Sequence, residues 1–435
     1  MGHLAAKDLY RRLGNKLDGT SVRMPWSDTL HDLFRDLYTA EEADLIVRMP
    51  YSPATLDRIA QITGLDGARA ERLLESLADK GLVIDIWSEQ AQQKLYVISP
   101  MVIGIFEFTM MRQAPESDTR RRAELLREYF LSGGFFEANF SSGQQFSIAR
   151  ALPHESTLLP DAYAEILDYE RASAIVDENE SWSIGVCSCR HEKLHGGLKQ
   201  CDTPLETCTS AGRAADYLVR HGLARAATQS EIRELLARSQ EQGLMLTADN
   251  VQRNLTFICH CCSCCCNLVE GITRHGCPNA VVSSNYLAQV DDSDCEGCGK
   301  CVEACPVDAI SLADPPPGGK RRERRPKVDE ARCLGCGVCA LRCPTSAMRL
   351  AERPQRVFHP ESTFERVILQ SLERGTLQNL IFDNPQSSSH GFMRAVVGGF
   401  LRLNPVKRAL CSEALRSRFL SWLTVAAGKQ GPTDF

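Results

Sequence analysis

The sequence predicts an α+β protein built from several domains. Apolar residues recur at helical spacing in its first half, where they alternate with short β-rich runs. Nineteen of the 20 cysteines lie between residues 187 and 343, and the first 186 residues contain none. One cysteine motif occurs twice between residues 295 and 344. With 435 residues, the chain is long enough for several separate cores.

The composition is that of an ordinary soluble protein, with 43% hydrophobic and 24% charged residues. A net charge of −5 implies no bulk affinity for nucleic acid or anionic membranes. No apolar run approaches the roughly 18 residues of a membrane span, and the first 20 residues lack the apolar region of a signal peptide. We therefore expect a cytoplasmic protein, in which locally clustered cysteines are metal ligands rather than disulfides.

The first domain is predicted to contain helices followed by a β-hairpin. Ser52 and Pro53 are typical of a helix start, and a second helix ends at Gly81. The segment LVIDIWSEQAQQKLYVIS then supplies two β-rich runs around a polar turn. This order resembles a winged helix-turn-helix over residues 30–103. The acidic and basic residues of its second helix, residues 68–80, cancel, so we expect docking or a structural role rather than DNA binding.

The middle and the end of the chain are predicted to be largely helical. Residues 101–182 are predicted to be helical. Two further helices, one at 211–221 and one after the capping box Thr228–Glu231, are predicted to separate two cysteine groups. After residue 351, an apolar stripe predicts a helix packed on the body of the protein, with Cys411 as a buried apolar residue. The stripe contains Phe392, Val396, Val397, Phe400 and Leu401.

The repeated motif is C-x2-C-x2-C-x3-C-P, present as CEGCGKCVEACP at 295–306 and CLGCGVCALRCP at 333–344. This spacing binds [4Fe–4S] clusters, because three thiolates on a glycine-containing loop wrap one corner of an iron cube. Zinc sites are instead usually built from paired C-x2-C units. Each copy is followed by a short strand-like segment, AISL or AMRL.

Residues 291–350 therefore resemble a bacterial ferredoxin with two [4Fe–4S] clusters. The resemblance implies that the fourth cysteine of each motif ligates the other cluster. One implied ligand set is Cys295, Cys298, Cys301 and Cys343, and the other is Cys333, Cys336, Cys339 and Cys305.

Upstream of this segment lie 11 further cysteines. Cys187 and Cys189 are two apart at the end of a strand-like run, so their side chains would share one face, and Cys201 and Cys208 would complete four thiols from a loop. The stretch CHCCSCCC at 259–266 divides into two thiol sets whether it is extended or helical. A single zinc ion takes four ligands, so we expect at least one further iron–sulfur cluster here, with structural zinc or a free dithiol as alternatives.

The candidate ligands of these further clusters are Cys187, Cys189, Cys201, Cys208, Cys259, Cys261, Cys262, Cys264, Cys265, Cys266 and Cys277. His191, His260 and His275 are expected around the sites rather than as ligands.

A basic loop, PPPGGKRRERRPK at 315–327, lies between the two motifs. Its six cations and one anion give a charge of +5, so the rest of the chain carries about −10. It is either a solvated loop or a docking loop for an acidic redox partner. The docking hypothesis assigns that contact to Arg321, Arg322, Arg324 and Arg325.

From about residue 40 to 350 the chain resembles multi-cluster ferredoxin-type proteins of anaerobic metabolism. The predicted divisions are a helical, winged-helix-like domain at 1–115, a helical connector at 116–180, a cysteine-rich iron–sulfur domain at 181–290, the two-cluster ferredoxin domain at 291–350 and a helical tail at 351–435.

The predicted function is iron–sulfur electron transfer, in which single electrons pass through two [4Fe–4S] clusters and at least one more to a redox partner protein. The chain has no dinucleotide-binding fingerprint or phosphate-binding loop, and no catalytic residue is predicted. One alternative is an iron–sulfur oxidoreductase acting at a cluster of the cysteine-rich domain. The other is a redox-sensing winged-helix regulator.

Overall fold

The structure is a computed structural model that describes residues 2–112, 115–141, 143–315 and 323–428. Its helices are α1 Gly2–Asp18, α2 Asp28–Leu37, α3 Ala40–Arg48, α4 Leu56–Thr63, α5 Gly67–Asp79, α6 Phe106–Met111, α7 Glu116–Leu131, α8 Gly134–Phe140, α9 Pro160–Ala164, α10 Ala172–Glu178, α11 Ser188–His195, α12 Gly212–Arg220, α13 Gln229–Gln242, α14 Asn267–Thr273, α15 Lys300–Ala304, α16 Val338–Leu341, α17 Thr363–Arg374, α18 Leu377–Ile381, α19 Ser388–Leu401, α20 Asn404–Cys411 and α21 Glu413–Gly428. Its strands are β1 Val83–Ser88, β2 Gln93–Ile98, β3 Ala149–Leu152, β4 Trp182–Val186, β5 Glu206–Ala211, β6 Ala224–Ala227, β7 Met245–Asp249, β8 Phe257–Cys261, β9 Val281–Val282, β10 Tyr286–Val290, β11 Ile310–Ala313, β12 Arg325–Val328 and β13 Met348–Glu352.

The N-terminal region has the predicted order of helices followed by a hairpin. Helix α3 begins with a capping box of Thr39 and Glu42, and α4 ends at Gly64 in the left-handed conformation. Strands β1 and β2 pair antiparallel over Val83–Ser88 and Gln93–Ile98. These elements are those on which the winged-helix resemblance rests, and the winged-helix assignment itself stays a prediction.

The hairpin and the end of α5 pack against α12. The Tyr217 hydroxyl donates hydrogen bonds to the backbone carbonyls of Ala78 (3.2 Å) and Val83 (3.0 Å). Each ring nitrogen of His221 donates to a carboxylate, at 2.7 Å to Asp79 and 2.8 Å to Asp85, which requires the imidazolium form. The N-terminal region is therefore joined to the cysteine-rich region by a charged contact in which His221 and Asp85 are buried and Asp79 faces solvent.

Asp85 is the centre of this contact, and its side chain has no solvent exposure. Besides His221, Arg220 lies 2.9 Å and Lys94 3.1 Å from its carboxylate oxygens. Burial by itself raises the pKa of Asp85, but hydrogen bonds from His221, Arg220 and Lys94 hold it well below its usual range. For His221, burial acts to lower the pKa, yet hydrogen bonds to Asp85 and Asp79 raise it above its ordinary value.

A seven-stranded sheet forms the centre of the cysteine-rich region, in the order β6-β4-β5-β8-β7-β3-β9. Neighbouring strands are antiparallel except for β3 and β9. Strand β3 lies within residues 116–180, where the sequence predicts a helical connector. Its four residues, ARAL, have no β-rich pattern of their own, and the pairing with β7, about 100 residues further on, makes them a strand.

Helix α13 begins as predicted, since Thr228 and Glu231 form the capping box and Gly243 ends the helix in the left-handed conformation.

The ferredoxin-like part is built from two similar halves. Strand β10 precedes the first motif and pairs with β13 after the second, while β11 and β12 pair between the motifs. The two strand-like segments predicted after the motifs are thus confirmed as β11 and β13. A Cβ at Gly335 would lie 2.2 Å from the Tyr286 carbonyl oxygen, so only glycine allows this strand to approach the second motif.

The tail packs through α17, with Leu369 and Leu372 fully buried in a cluster that also contains Leu401 and Leu423. The predicted apolar stripe lies on α19, but only part of it is covered. Phe392 is 69% exposed, and Val396 and Phe400 are also exposed. Cys411 is half-buried rather than fully buried. In the part of the chain that the structure describes, every helix is too short or too polar to cross a membrane.

Candidate metal centres

The second ferredoxin set, Cys305, Cys333, Cys336 and Cys339, lines one small cavity. Three of its members come from the second motif, and Cys305 comes from the first. Apolar side chains, among them Leu334 and Leu350, form the rest of the wall. Cys333, Cys336 and Cys339 are 6–7% exposed, so a cluster here would be shielded from water.

The first ferredoxin set, Cys295, Cys298, Cys301 and Cys343, lies nearer the surface. Cys298 is exposed and the other three are half-buried. Burial, together with smaller contributions from the neighbouring thiols of Cys298 and Cys343, raises the pKa of Cys301 to about 11. Cys343 of the second motif is therefore a neighbour of first-motif thiols, as the resemblance implies. The ligand roles themselves stay predictions.

The upstream thiols form two groups. The first is a tight cysteine tetrad in which all four sulfur atoms lie within 4.8 Å of one another. Four of the sulfur–sulfur distances are 3.5, 3.6, 3.6 and 3.9 Å. The tetrad consists of Cys201, Cys262, Cys264 and Cys265.

These distances fit a single tetrahedral ion. Zinc–sulfur bonds of about 2.3 Å place the four sulfur atoms of a regular tetrahedron about 3.8 Å apart. In an iron cube each thiolate binds a different iron atom, which spreads the sulfur atoms more widely. Among the described residues, the tetrad is the only cysteine group this compact, and the two ferredoxin sets are wider.

The second group is a cysteine hexad around a cavity of about 60 Å³. Its neighbouring thiols interact in succession, from Cys208 through Cys259, Cys261 and Cys266 to Cys189. Because six thiols surround a space instead of converging on one point, the group fits a cluster of several metal atoms better than one ion. The hexad consists of Cys187, Cys189, Cys208, Cys259, Cys261 and Cys266, and two members of the tetrad, Cys262 and Cys265, also line this cavity.

Two strands and two helix starts position the hexad. Cys208 on β5 and Cys259 on β8 are directly opposite in the antiparallel register, and Cys261 ends β8. Cys187 is the residue before the start of α11, and Cys266 is the residue before the start of α14. The predicted strand face for Cys187 and Cys189 is wrong, because β4 ends at Val186 and Cys189 lies in the first turn of α11.

The structure also divides the thiols differently from the sequence patterns. Cys201 joins the tetrad rather than Cys187, Cys189 and Cys208, and Cys208 lies on a strand rather than a loop. Within residues 259–266, neither the extended nor the helical grouping holds, because a turn follows Cys261 in which the backbone N–H of Cys266 donates to the Cys262 carbonyl.

Cys277 has no described contact with either group, and its thiol donates to the carbonyl of His275. None of the rings of His191, His260 and His275 contacts a thiol through a described hydrogen bond. The His260 ring interacts with Ser239 (2.7 Å) and Thr209 (3.5 Å). Burial lowers the pKa of His260 to about 3, so its ring is neutral. His191 lies 2.6 Å from the Met110 carbonyl, and His275 stacks on a phenylalanine.

Two charged residues near these thiols were not predicted as site residues. Arg190 is 1% exposed and bonds the Thr207 hydroxyl and the His260 carbonyl. Its guanidinium also interacts with Cys187 of the hexad and Cys262 of the tetrad, so one cation serves both groups. Glu107 borders the hexad cavity, and burial raises its pKa to about 7. Arg190 follows directly after Cys189 in the sequence, whereas nothing local indicates Glu107.

His154 is a third residue near these centres that no sequence pattern indicates. Its backbone N–H donates to the carbonyl of Cys336 in the second ferredoxin set, at 3.1 Å. Its ring lies 2.7 Å from the carbonyl of Leu244. The next residue, Met245, is paired with Cys261 of the hexad. One residue thus connects the cysteine hexad to the buried ferredoxin set.

Part of the basic loop lies against the first ferredoxin motif. The Arg324 guanidinium donates to the carbonyl of Gly297 at 3.2 Å, between Cys295 and Cys298. Arg325 lies 3.5 Å from Asp292. Arg321 and Arg322 fall outside the described residues.

Comparison with known proteins gives one match. No curated protein and no solved structure matches the chain. Residues 294–347 match the family model of the 4Fe-4S dicluster domain. This match and the cysteine-rich region before it support an iron–sulfur protein of the ferredoxin type that transfers electrons.

Proposed function

We propose that the chain is an electron relay with three redox centres in series. The two ferredoxin sets would each hold a [4Fe–4S] cluster, and the cysteine hexad would hold a third iron–sulfur cluster. Electrons would exchange with a redox partner at the first ferredoxin set, where Cys298 is exposed, and pass through the buried second set to the hexad.

The observation that carries this proposal is the His154 connection. A route from Cys336 to Cys261 runs through two hydrogen bonds, of 3.1 and 2.7 Å, and a strand pair. Cys261, Cys266 and the second ferredoxin set also pack on one continuous core. Close packing and hydrogen bonding between the two centres favour electron transfer between them over exchange with solvent.

The cysteine tetrad has a different role in this proposal. A single tetrahedral zinc ion there would hold the turn after Cys261 to the loop of Cys201, and so fix the orientation of β8. Zinc does not change its oxidation state, so the tetrad would stabilise the hexad without carrying electrons.

The test is metal analysis and EPR of the anaerobically reconstituted protein. We expect more iron than the roughly eight atoms of two [4Fe–4S] clusters, together with about one zinc per chain. Cys259→Ser should lower the iron content and remove one EPR signal of the reduced protein, leaving the ferredoxin signals. Cys277→Ser, outside both thiol groups, is the matched control. Iron at or below eight atoms, unchanged by Cys259→Ser, would refute the third cluster.

A second candidate function is an oxidoreductase that acts at the hexad. The specific observation in its favour is that six thiols exceed the four that one [4Fe–4S] cluster requires. Loss of substrate turnover in Cys259→Ser with unchanged ferredoxin EPR would favour it. The hypothesis of a winged-helix regulator has less support, because α5 and β1 are hydrogen-bonded to Tyr217 of α12.

A further inference from the structure

Helix α19 has one apolar face that is exposed to solvent. Phe392, Val396 and Phe400 follow one another at intervals of four residues, so they lie on the same side of the helix. Together with Leu403, which comes just after the helix, these side chains are 52–69% exposed. The other side of the helix is covered, because Leu401 packs in the cluster of α17. The apolar residues of α19 therefore exceed what the body of the protein buries.

Polar groups are scarce on this face. Within residues 392–403, which the structure describes in full, Arg402 is the only exposed polar residue. A protein partner normally forms about one hydrogen bond per 100–200 Å² of interface, and this face offers almost no side chain for such bonds. Soluble proteins rarely expose contiguous apolar patches unless these bind a protein or a membrane. The shortage of hydrogen-bonding groups favours lipid over protein.

The helices that carry and adjoin this face are strongly cationic. Residues 388–428 contain six lysines and arginines and a single glutamate, so their net charge is +5, although the whole chain carries −5. Hydrogen bonds to carbonyl oxygens, such as that of Arg402 to Gly375 at 3.2 Å, satisfy a donor without neutralising its charge. Arg408 and Arg418 are exposed, and neither has a salt bridge to an acidic side chain in the part of the chain that the structure describes. Such a surface attracts an anionic partner.

A second copy of the chain fits this face poorly. A symmetric dimer places the same surface of both copies in contact, so two regions of charge +5 would repel each other. An anionic lipid bilayer offers both of the required features, namely acyl chains for the apolar side chains and negative head groups for the cations. With 14 residues, α19 is about 21 Å long, shorter than the roughly 30 Å hydrocarbon core, so it would lie in the membrane surface and not cross it.

We propose that the C-terminal helices bind the surface of an anionic lipid bilayer through this face of α19. Phe392, Val396 and Phe400 enter the boundary between head groups and acyl chains, and Arg402 and Arg408 contact the negative head groups. No cysteine and no metal centre takes part, so the binding does not rest on the electron relay proposed above.

Anaerobic co-sedimentation of the full reconstituted chain with lipid vesicles tests the proposal. One set of vesicles contains equal amounts of phosphatidylglycerol and phosphatidylcholine, and the other contains phosphatidylcholine alone. We expect binding to the anionic vesicles to be tighter by about tenfold or more, because each cation near an anionic surface adds to the affinity. Rising salt should weaken that binding. Equal binding to both kinds of vesicle, or no binding to the anionic ones, would overturn the proposal.

Three variants locate the contact. Phe400→Ser should weaken binding to the anionic vesicles by about tenfold or more, because the ring is no longer transferred from water to hydrocarbon. Tyr163→Ser, at an exposed aromatic position on α9 outside the tail, is the matched control and should leave the affinity unchanged. Arg408→Glu should weaken binding to the anionic vesicles only. Each variant should keep the iron content of the parent protein, and equal effects of the two serine variants would overturn the assignment to α19.

Two other occupants of this face give different results. If the face joins two copies of the chain, the parent protein is a dimer without lipid, Phe400→Ser is a monomer, and vesicles do not bind. If the face binds an acidic protein, poly-L-glutamate binds and both kinds of vesicle fail. Either result overturns the lipid proposal. Iron limited to the two ferredoxin clusters would refute the relay, and vesicle binding with the expected variant effects would still support the membrane contact.

Discussion

Removing one thiol of the cysteine tetrad should release a single metal ion and leave every iron–sulfur cluster in place. The perturbation is Cys264→Ala, which deletes a half-buried member of the tetrad without touching the hexad. We expect zinc to fall from about one per chain to near zero, because three thiolates hold a structural zinc ion less well than four. The iron content should not change.

The expected metal–sulfur bond length follows from the distances between the sulfur atoms of the tetrad. For one ion at the centre of the tetrad, the sulfur–sulfur distances of 3.5–3.9 Å would be edges of the coordination tetrahedron. Dividing an edge by about 1.63 gives metal–sulfur distances of about 2.1–2.4 Å, which include the zinc–thiolate value of about 2.3 Å. Zinc-edge X-ray absorption should therefore show four sulfur neighbours at about 2.3 Å, with no iron atom in the next shell.

The assay combines metal analysis, zinc-edge absorption and EPR, with Cys277→Ala as the control for loss of a buried thiol in the same region. The control should keep both zinc and iron. If Cys264→Ala loses iron and an EPR signal while zinc is absent from the parent protein, the single-ion interpretation is refuted, and the tetrad belongs to an iron–sulfur cluster.

Four further predictions concern the domain contact, the ferredoxin fold and the partner. Asp85→Asn should lower the free energy of unfolding by about 3 kcal/mol. This is the low end of the range for a broken buried ion pair, because some of the cations around Asp85 face solvent. Urea unfolding measures the change, and a value below about 0.5 kcal/mol would contradict the prediction. The raised pKa of His221 means that its contribution to stability is complete below its unfolded pKa of about 6.5 and is lost as the pH rises through the higher folded value. Stability should therefore fall as the pH rises above about 6.5, and His221→Gln should flatten that dependence. Gly335→Ala should remove the second ferredoxin cluster, since its Cβ would lie 2.2 Å from a carbonyl oxygen, whereas Gly299→Ala, also at positive φ but with its nearest neighbour at 3.7 Å, should retain most of the iron. Arg324→Glu should slow association with an acidic redox partner and reduce the salt dependence of that rate, and stopped-flow rates equal to those of the parent protein would show that the basic loop does not dock the partner.

The ferredoxin-like part could be predicted in detail because its constraints are local. Each motif places four cysteines within 11 residues, and the glycines between them set the turns. The strands after both motifs and the capping box at Thr228 were predicted from short patterns for the same reason. In these segments, the residues that determine the local structure lie within about one turn or one strand of the position that they fix.

The upstream centres could not be predicted this way. Cys201 reaches the tetrad across 61 residues, and Cys208 meets Cys259 only because β5 and β8 pair in one particular register. A shift of that register by one residue would turn one of the two thiols to the opposite face of the sheet. His154 and Glu107 give no local signal, because their roles depend on elements far away in the sequence.

By itself, then, the sequence determined that this is a metal-binding protein with a two-cluster ferredoxin segment, since thiolate spacing and glycine positions directly encode that chemistry. Only the tertiary structure decided how the remaining thiols divide into a tetrad and a hexad, which residue connects the hexad to the ferredoxin part, and that one face of α19 stays exposed. The physical reason is that cluster loops are shaped by neighbours in the chain, whereas strand register, helix docking and cavities arise from contacts between residues tens to hundreds of positions apart.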